Sequence, residues 1–198
     1  MKIIRSIIIS IFCLALGCLT LCAHTEDMIA LNDLKPDTGV IFKSQNNGLT
    51  LLVSLPSTAK DLNSIELKMT LINNTGINFR FEYESSAFLA GYQFDLTDES
   101  GQKVEHTSAY KKALQTGSFF STQQRNIKNG YAWVLSNSLA DYSNLTTTGQ
   151  YKLDVDWRLF KMGQHGMVPE DSPKIAVSGT ILISQLPDGS FTIVPVNN

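Results

Sequence analysis

The side chains best suited to acid–base or metal chemistry at neutral pH are three histidines, His24, His106 and His165. They lie far apart in the chain, and His165 sits in a Gly163-Gln164-His165-Gly166 loop. Neither His106 nor His165 has a second histidine or a carboxylate two or four residues away, the spacing that sets two ligands on one strand or helix face. Asp154 and Asp156 alternate along one stretch, as paired carboxylates do in calcium or acid–base sites. Lys152 and Arg158 flank them at the same period, so the pattern reads as a solvated strand face. Asp95, Asp98 and Glu99 are closer together, yet Asp98-Glu99-Ser100-Gly101 also reads as a hairpin turn, and no Asp-x-Asp-x-Asp-Gly loop is present. No serine lies in a Gly-x-Ser-x-Gly elbow, and no glycine-rich phosphate loop follows a strand. The expectation is a chain without a catalytic centre, a metal site or a cofactor.

Aromatic residues offer a different chemistry. Tyr131 and Trp133 would form a stacking platform if they faced solvent, though aromatics at period 2 more commonly belong to a core. Tyr110, Phe119 and Phe120 fall in residues 107–124, which have no clean period apart from a helical turn near Tyr110 to Leu114. Long irregular segments often carry function, so these three form the candidate partner-binding loop. The competing expectation is that they cap one end of the fold.

The elements that would hold these residues are strands. In Leu145–Leu159, LTTTGQYKLDVDWRL, Tyr151, Leu153, Val155, Trp157 and Leu159 share one face, and Lys152, Asp154, Asp156 and Arg158 share the other. This alternation marks a strand buried on one side. A Tyr at its start, just after Gly149, resembles the tyrosine corner of immunoglobulin-like sandwiches. Similar patterning, broken by Asn46-Asn47-Gly48, Asn73-Asn74-Thr75-Gly76, Asn129-Gly130 and Pro187-Asp188-Gly189, places strands near 40–43, 49–55, 65–72, 78–84, 92–97, 102–105, 124–135, 151–159 and 174–196. Leu67, Met69, Phe79, Phe81, Phe94, Trp133, Tyr151, Val155 and Trp157 are expected to lead the inner face. The 65–72 and 78–84 strands are expected to pair across the NNTG turn, and Gly179 suggests a bulge. The fold class is an all-β, immunoglobulin-like antiparallel sandwich of about 7–9 strands in one domain.

Residues 1–23 read as an export signal, with Lys2 and Arg5 ahead of the apolar run Ile7 to Leu16 and cleavage after Ala23. The rival reading is lipidation of Cys18, since Leu14-Ala15-Leu16-Gly17-Cys18 is a loose lipobox. Residues 24–38 are expected to link the signal to a domain at 39–198. All three cysteines, Cys13, Cys18 and Cys22, lie in the signal, so the remainder has no thiol for catalysis, metal or disulfides. The chain has a formal net charge of −2, and loss of Lys2 and Arg5 makes it more negative. Such a balance lacks the basic stripe a nucleic-acid binder needs. No transmembrane helix is expected after the signal. The protein is expected to be exported, monomeric by default, and to act on a protein partner.

Three stretches carry a resemblance: IELKMTLINNTGINFRFEY (65–83), YQFDLTDESGQKV (92–104), and the run from IKNGYAWVLSN through LTTTGQYKLDVDWRL (127–159). Their order resembles the exported immunoglobulin-like domains of bacteria and is similar to the intracellular proteinase inhibitor (BsuPI) type of sandwich. The first resemblance implies the fold, and the long 107–124 and 161–173 loops together with the missing chemistry point to a non-catalytic binding or accessory module that acts through its loops. The second implies a loop presented to a protease.

Overall fold

The computed structural model describes residues 25–84, 92–115, 122–158 and 174–196. Strands dominate them. In chain order they are β1 (Thr25–Ala30), β2 (Val40–Asn46), β3 (Leu49–Leu55), β4 (Thr58–Ala59), β5 (Glu66–Asn73), β6 (Phe79–Glu84), β7 (Tyr92–Asp98), β8 (Thr122–Ile127), β9 (Tyr131–Ser138), β10 (Gly149–Arg158), β11 (Lys174–Gln185) and β12 (Phe191–Pro195). Two short helices accompany them, α1 (Ser108–Gln115) and α2 (Leu139–Tyr142).

Period-2 patterning produces two antiparallel sheets. The first runs β1-β9-β5-β3-β2, and the second runs β4-β12-β11-β10-β7. They bury the apolar faces that alternation predicts: Leu51, Val53 and Leu55 from β3, Leu67, Met69 and Leu71 from β5, Trp133 and Leu135 from β9, and Leu153 and Val155 from β10. This is an all-β sandwich with one core between its sheets. Of the expected inner-face residues, Leu67, Met69, Phe79, Phe94, Trp133, Tyr151 and Val155 are buried. The side chains of Phe81 and Trp157 lie outside the described residues.

Several expectations need correction. Residues 24–38 were expected to be a linker, yet Thr25–Ala30 form β1, which pairs along β9 from Thr25↔Ser136 to Ala30↔Tyr131. Its sequence, TEDMIA, groups three polar residues before three apolar ones, so no period-2 alternation marked it as a strand. Residues 102–105 were expected to be a strand. They bond to β7 through the Thr97↔Lys103 bridge, the Asp98 N–H to the Gln102 carbonyl and the Val104 N–H to the Leu96 carbonyl, and then turn away, the Glu105 carbonyl accepting from the Asn144 N–H. The 124–135 span divides into β8 and β9 at the Lys128–Gly130 turn.

The NNTG turn does not close a hairpin, because β6 pairs with β8 as a separate two-stranded ribbon. Asn73 explains this. It is fully buried, and its Nδ2 donates to the carbonyls of Ile77 (2.8 Å) and Ile127 (2.9 Å). Its Oδ1 accepts from Thr75 N (3.1 Å) and Thr75 Oγ1 (2.7 Å). One amide thus holds the end of β5, the following turn and the end of β8 together. Gly179 is not a bulge either, since Leu153↔Gly179 continues a regular register. A Cβ there would lie 2.1 Å from Cδ1 of Phe42, so glycine lets that ring pack on β11.

The corner before β10 closes as the Gly-x-Tyr pattern suggests. Gly149 adopts φ 148°. The Tyr151 hydroxyl donates to the Thr147 carbonyl at 3.0 Å and lies 2.8 Å from Thr147 Oγ1.

Candidate functional site

The polar and aromatic side chains of the sequence converge along the free edge of β7. After β7 a tight turn reverses the chain. Asp98 Oδ1 accepts from Ser100 N (2.9 Å), Ser100 Oγ (2.6 Å) and Gln102 N (2.9 Å). The Ser100 and Gln102 bonds hold the Asp98 carboxyl below the usual carboxylate range. Asp98 is therefore committed to its turn, and Glu99 beside it is exposed.

The returning segment then closes the edge with side chains. Tyr110 is fully buried, and its hydroxyl oxygen accepts the Phe94 N–H of β7 at 3.0 Å. Burial, with a smaller contribution from the nearby Asp95 charge, pushes the phenol above its ordinary value. Its ring stands edge-on to Tyr142 (centroids 5.2 Å apart) and to His106 (4.8 Å), and Tyr142 packs on Phe94. Thr107 positions the ring. Its Oγ1 caps α1 by accepting from Tyr110 N (3.1 Å), and it donates to the Asp141 carbonyl in α2 (2.7 Å).

Asp95 and His106 form the ionisable part of the cluster. His106 Nε2 lies 3.3 Å from Asp95 Oδ1, a buried oxygen that accepts no hydrogen bond, and Lys103 Nζ lies 3.1 Å from Asp95 Oδ2. Asp95 stands directly across from Asp154 of β10, and Lys152 offsets that second carboxylate at 3.0 Å. Each carboxylate of this like-charged cross-strand pair thus has its own lysine. His106 also forms a backbone bridge with Ser143. The Ser143 hydroxyl is buried and has no hydrogen-bond partner, so the group lacks the serine–histidine bond that activates a nucleophile. Among the described residues no three His, Cys, Asp or Glu side chains are gathered for a metal ion. No helix among them is long and apolar enough to cross a membrane.

The sequence-derived candidates thus separate. Tyr110 belongs to a buried cluster and is not displayed on the surface, which corrects its place in the candidate loop. Phe119, Phe120, His24, His165 and Cys18 lie outside the described residues. Trp133 is core, and Tyr131 is half-buried with Lys128 Nζ 5.9 Å from its ring centroid. The Asp95–His106 contact spans β7 and the segment after it, which local spacing could not show.

A second feature lies at the same end of the sandwich. The Asp98–Ser100 turn, Val104 and residues 144–151, with Thr146, Thr147 and Thr148 among them, line a cleft of about 260 Å³. Both walls are stiffened internally, one by the Asp98 bonds and the other by the Tyr151 bonds.

Compared with known protein families and with curated proteins, the sequence matches none. Function therefore rests on the geometry.

Proposed function

We propose that this chain is an exported, non-catalytic binding or accessory module built on an immunoglobulin-like sandwich, and that it meets a protein partner through loops at one end. The fold reading is supported by the pairing of β5 with both β3 and β9, the β7-β10-β11 order opposite them, and the tyrosine corner at Tyr151. The export reading is supported by the charged and apolar pattern of residues 1–23, with Cys18 as the alternative anchoring point.

The observation that carries the proposal is the cleft between the Asp98–Ser100 turn and residues 144–151. Its walls are hydrogen-bonded loops mounted on β7 and β10, and such pre-organisation suits recognition. By contrast, the ionisable groups nearby are occupied in turns and in edge closure.

The test is a pull-down with tagged protein beginning at His24 against envelope and secreted fractions of the parent cell. One stoichiometric protein should be retained by wild type and lost with Thr146→Arg, which would fill the cleft. Retention of the same protein by both would reject the cleft as the binding surface. The proteinase-inhibitor reading rests on the same sandwich. Stoichiometric loss of protease activity on titration would put it first.

A further inference from the structure

β1 and β2 lie on opposite edges of one sheet, so residues 31–39 must cross that sheet. They cross its outer face as a strap. Asp33, Leu34 and Lys35 stand over Val134 and Ser136 of β9 and Lys68 of β5. Pro36, Asp37 and Thr38 then stand over Lys68 and over Ser54 of β3.

The strap does not fill the space over the sheet. Clefts of about 330 Å³ and 190 Å³ lie between it and the sheet. Among the described residues it is tied to the sheet by the Leu31 N–H to the Gly130 carbonyl (3.1 Å) and by the ion pair of the buried Asp37 carboxylate with Lys68. The face beneath is rich in residues that suit water, including Thr50, Ser54, Glu66, Lys68, Thr70 and Ser136.

β1 itself is lightly held. None of Met28, Ile29 and Ala30 belongs to the buried core, and Met28 is 39% exposed. The strand is retained through its backbone register on β9, whose Trp133 and Leu135 are fixed in the core. Among its described side chains only Ile29, half-buried beside Leu34 and Val134, adds apolar contact, and a strand held chiefly by main-chain pairing can be replaced by another of matching register. Gly39 anchors the far end of the strap, because a Cβ there would meet the Leu55 carbonyl at 2.2 Å. Residues 31–39 reach about 30 Å when extended, against ~19 Å for four strand spacings across the sheet.

From these observations we infer that β9 is a docking edge for β1 of a second copy of this chain, giving a reciprocal strand-exchanged dimer. The second copy is the favoured occupant because its β1 has the sequence and register that already fit this edge.

The register supplies the test. In protein beginning at His24, which has no cysteine, one preparation carries Asp27→Cys and another carries Val134→Cys, positions that face each other between β1 and β9. The two are mixed, incubated in mild denaturant, returned to buffer and treated with a short bismaleimide. A double variant in one chain shows that the pair is cross-linkable. Asp27→Cys mixed with Ser178→Cys on β11 measures random collision. Thr25→Cys with Ser136→Cys repeats the test at a second register pair, should either first variant fail to fold. The inference expects a cross-linked dimer for the register pairs, increasing with protein concentration and exceeding the collision control. Dimer no greater than that control, while the double variant cross-links within one chain, overturns it.

Discussion

The edge of the β7 sheet and the edge of the β1 sheet are closed in different ways. Along β7, closure comes from buried side chains: Tyr110 takes the Phe94 N–H, and Tyr142, Phe94 and His106 pack around it. Along β9, closure comes from another strand, whose described side chains add nothing to the core. Both devices hide an edge that would otherwise recruit foreign strands. They differ in permanence. Opening β7 would expose an aromatic cluster, whereas opening β9 would expose main-chain groups that water can satisfy and the smaller apolar side chains of Ala132 and Val134.

The most direct way to break this comparison is to truncate one residue at each edge. Tyr110→Ala should cost about 3–5 kcal/mol, because it removes a fully buried ring and orphans the Phe94 N–H. Met28→Ala should cost no more than about 0.5 kcal/mol, as exposed positions do. Urea denaturation of both variants measures the difference. Equal losses would mean that β1 is as firmly built in as the aromatic edge.

A third boundary sharpens the contrast, where β11 of one sheet meets β2 of the other. Gly179 lies under the Phe42 ring, with three ring carbons within 2.5 Å of a Cβ built there. Gly179→Ala should cost about 1–3 kcal/mol by overpacking, and Phe42→Leu in the same chain should recover part of it. Additive losses in the double variant would show that the ring is not what excludes a side chain from position 179.

The corner at Tyr151 offers a smaller effect. Tyr151→Phe keeps the buried ring but removes the hydroxyl that reaches Thr147, so about 0.5–1.5 kcal/mol should be lost. The cleft beside it should loosen as well, which faster amide exchange across residues 144–151 would report. Unchanged exchange there would detach the corner from the cleft.

What the sequence disclosed follows from the range of the forces involved. Alternation is local, so β3, β5, β7 and β10 were legible, together with Leu67, Met69, Phe94 and Tyr151 as core. The Gly149–Tyr151 corner was legible because its hydrogen bond spans only four residues. β1 was hidden because its pairing with β9 joins residues about a hundred positions apart and leaves no apolar stripe. The Asn73 junction misled for a related reason. An Asn-rich turn has the composition of a hairpin, but a buried amide that bonds Ile127 diverts the chain. Tyr110 was noticed as an aromatic in an irregular segment, but its partners Phe94 and Tyr142 come from elsewhere in the chain, so burial could not be read locally.

The smallest expected effect concerns the two turns built on the same device. Asp188 accepts from Ser190 N (3.0 Å) and Ser190 Oγ (2.6 Å), as Asp98 does from Ser100. Both carboxyls are held below their ordinary value, first by the serine hydroxyl bond. A depressed folded-state value means that the ionised form favours the folded turn. That contribution is complete above the unfolded value of about 4 and disappears as pH falls through the lowered one. Acidification below pH ~4 should therefore release the Ser100 and Ser190 amides, seen as shifts in their NMR resonances. The 98–102 turn forms a wall of the cleft, whereas the 188–190 turn does not line it. If Ser100 titrates together with Thr146–Thr148 while Ser190 titrates alone, the cleft walls respond as one unit. If all three move independently, the turn and the 144–151 loop are separate elements that share only a boundary.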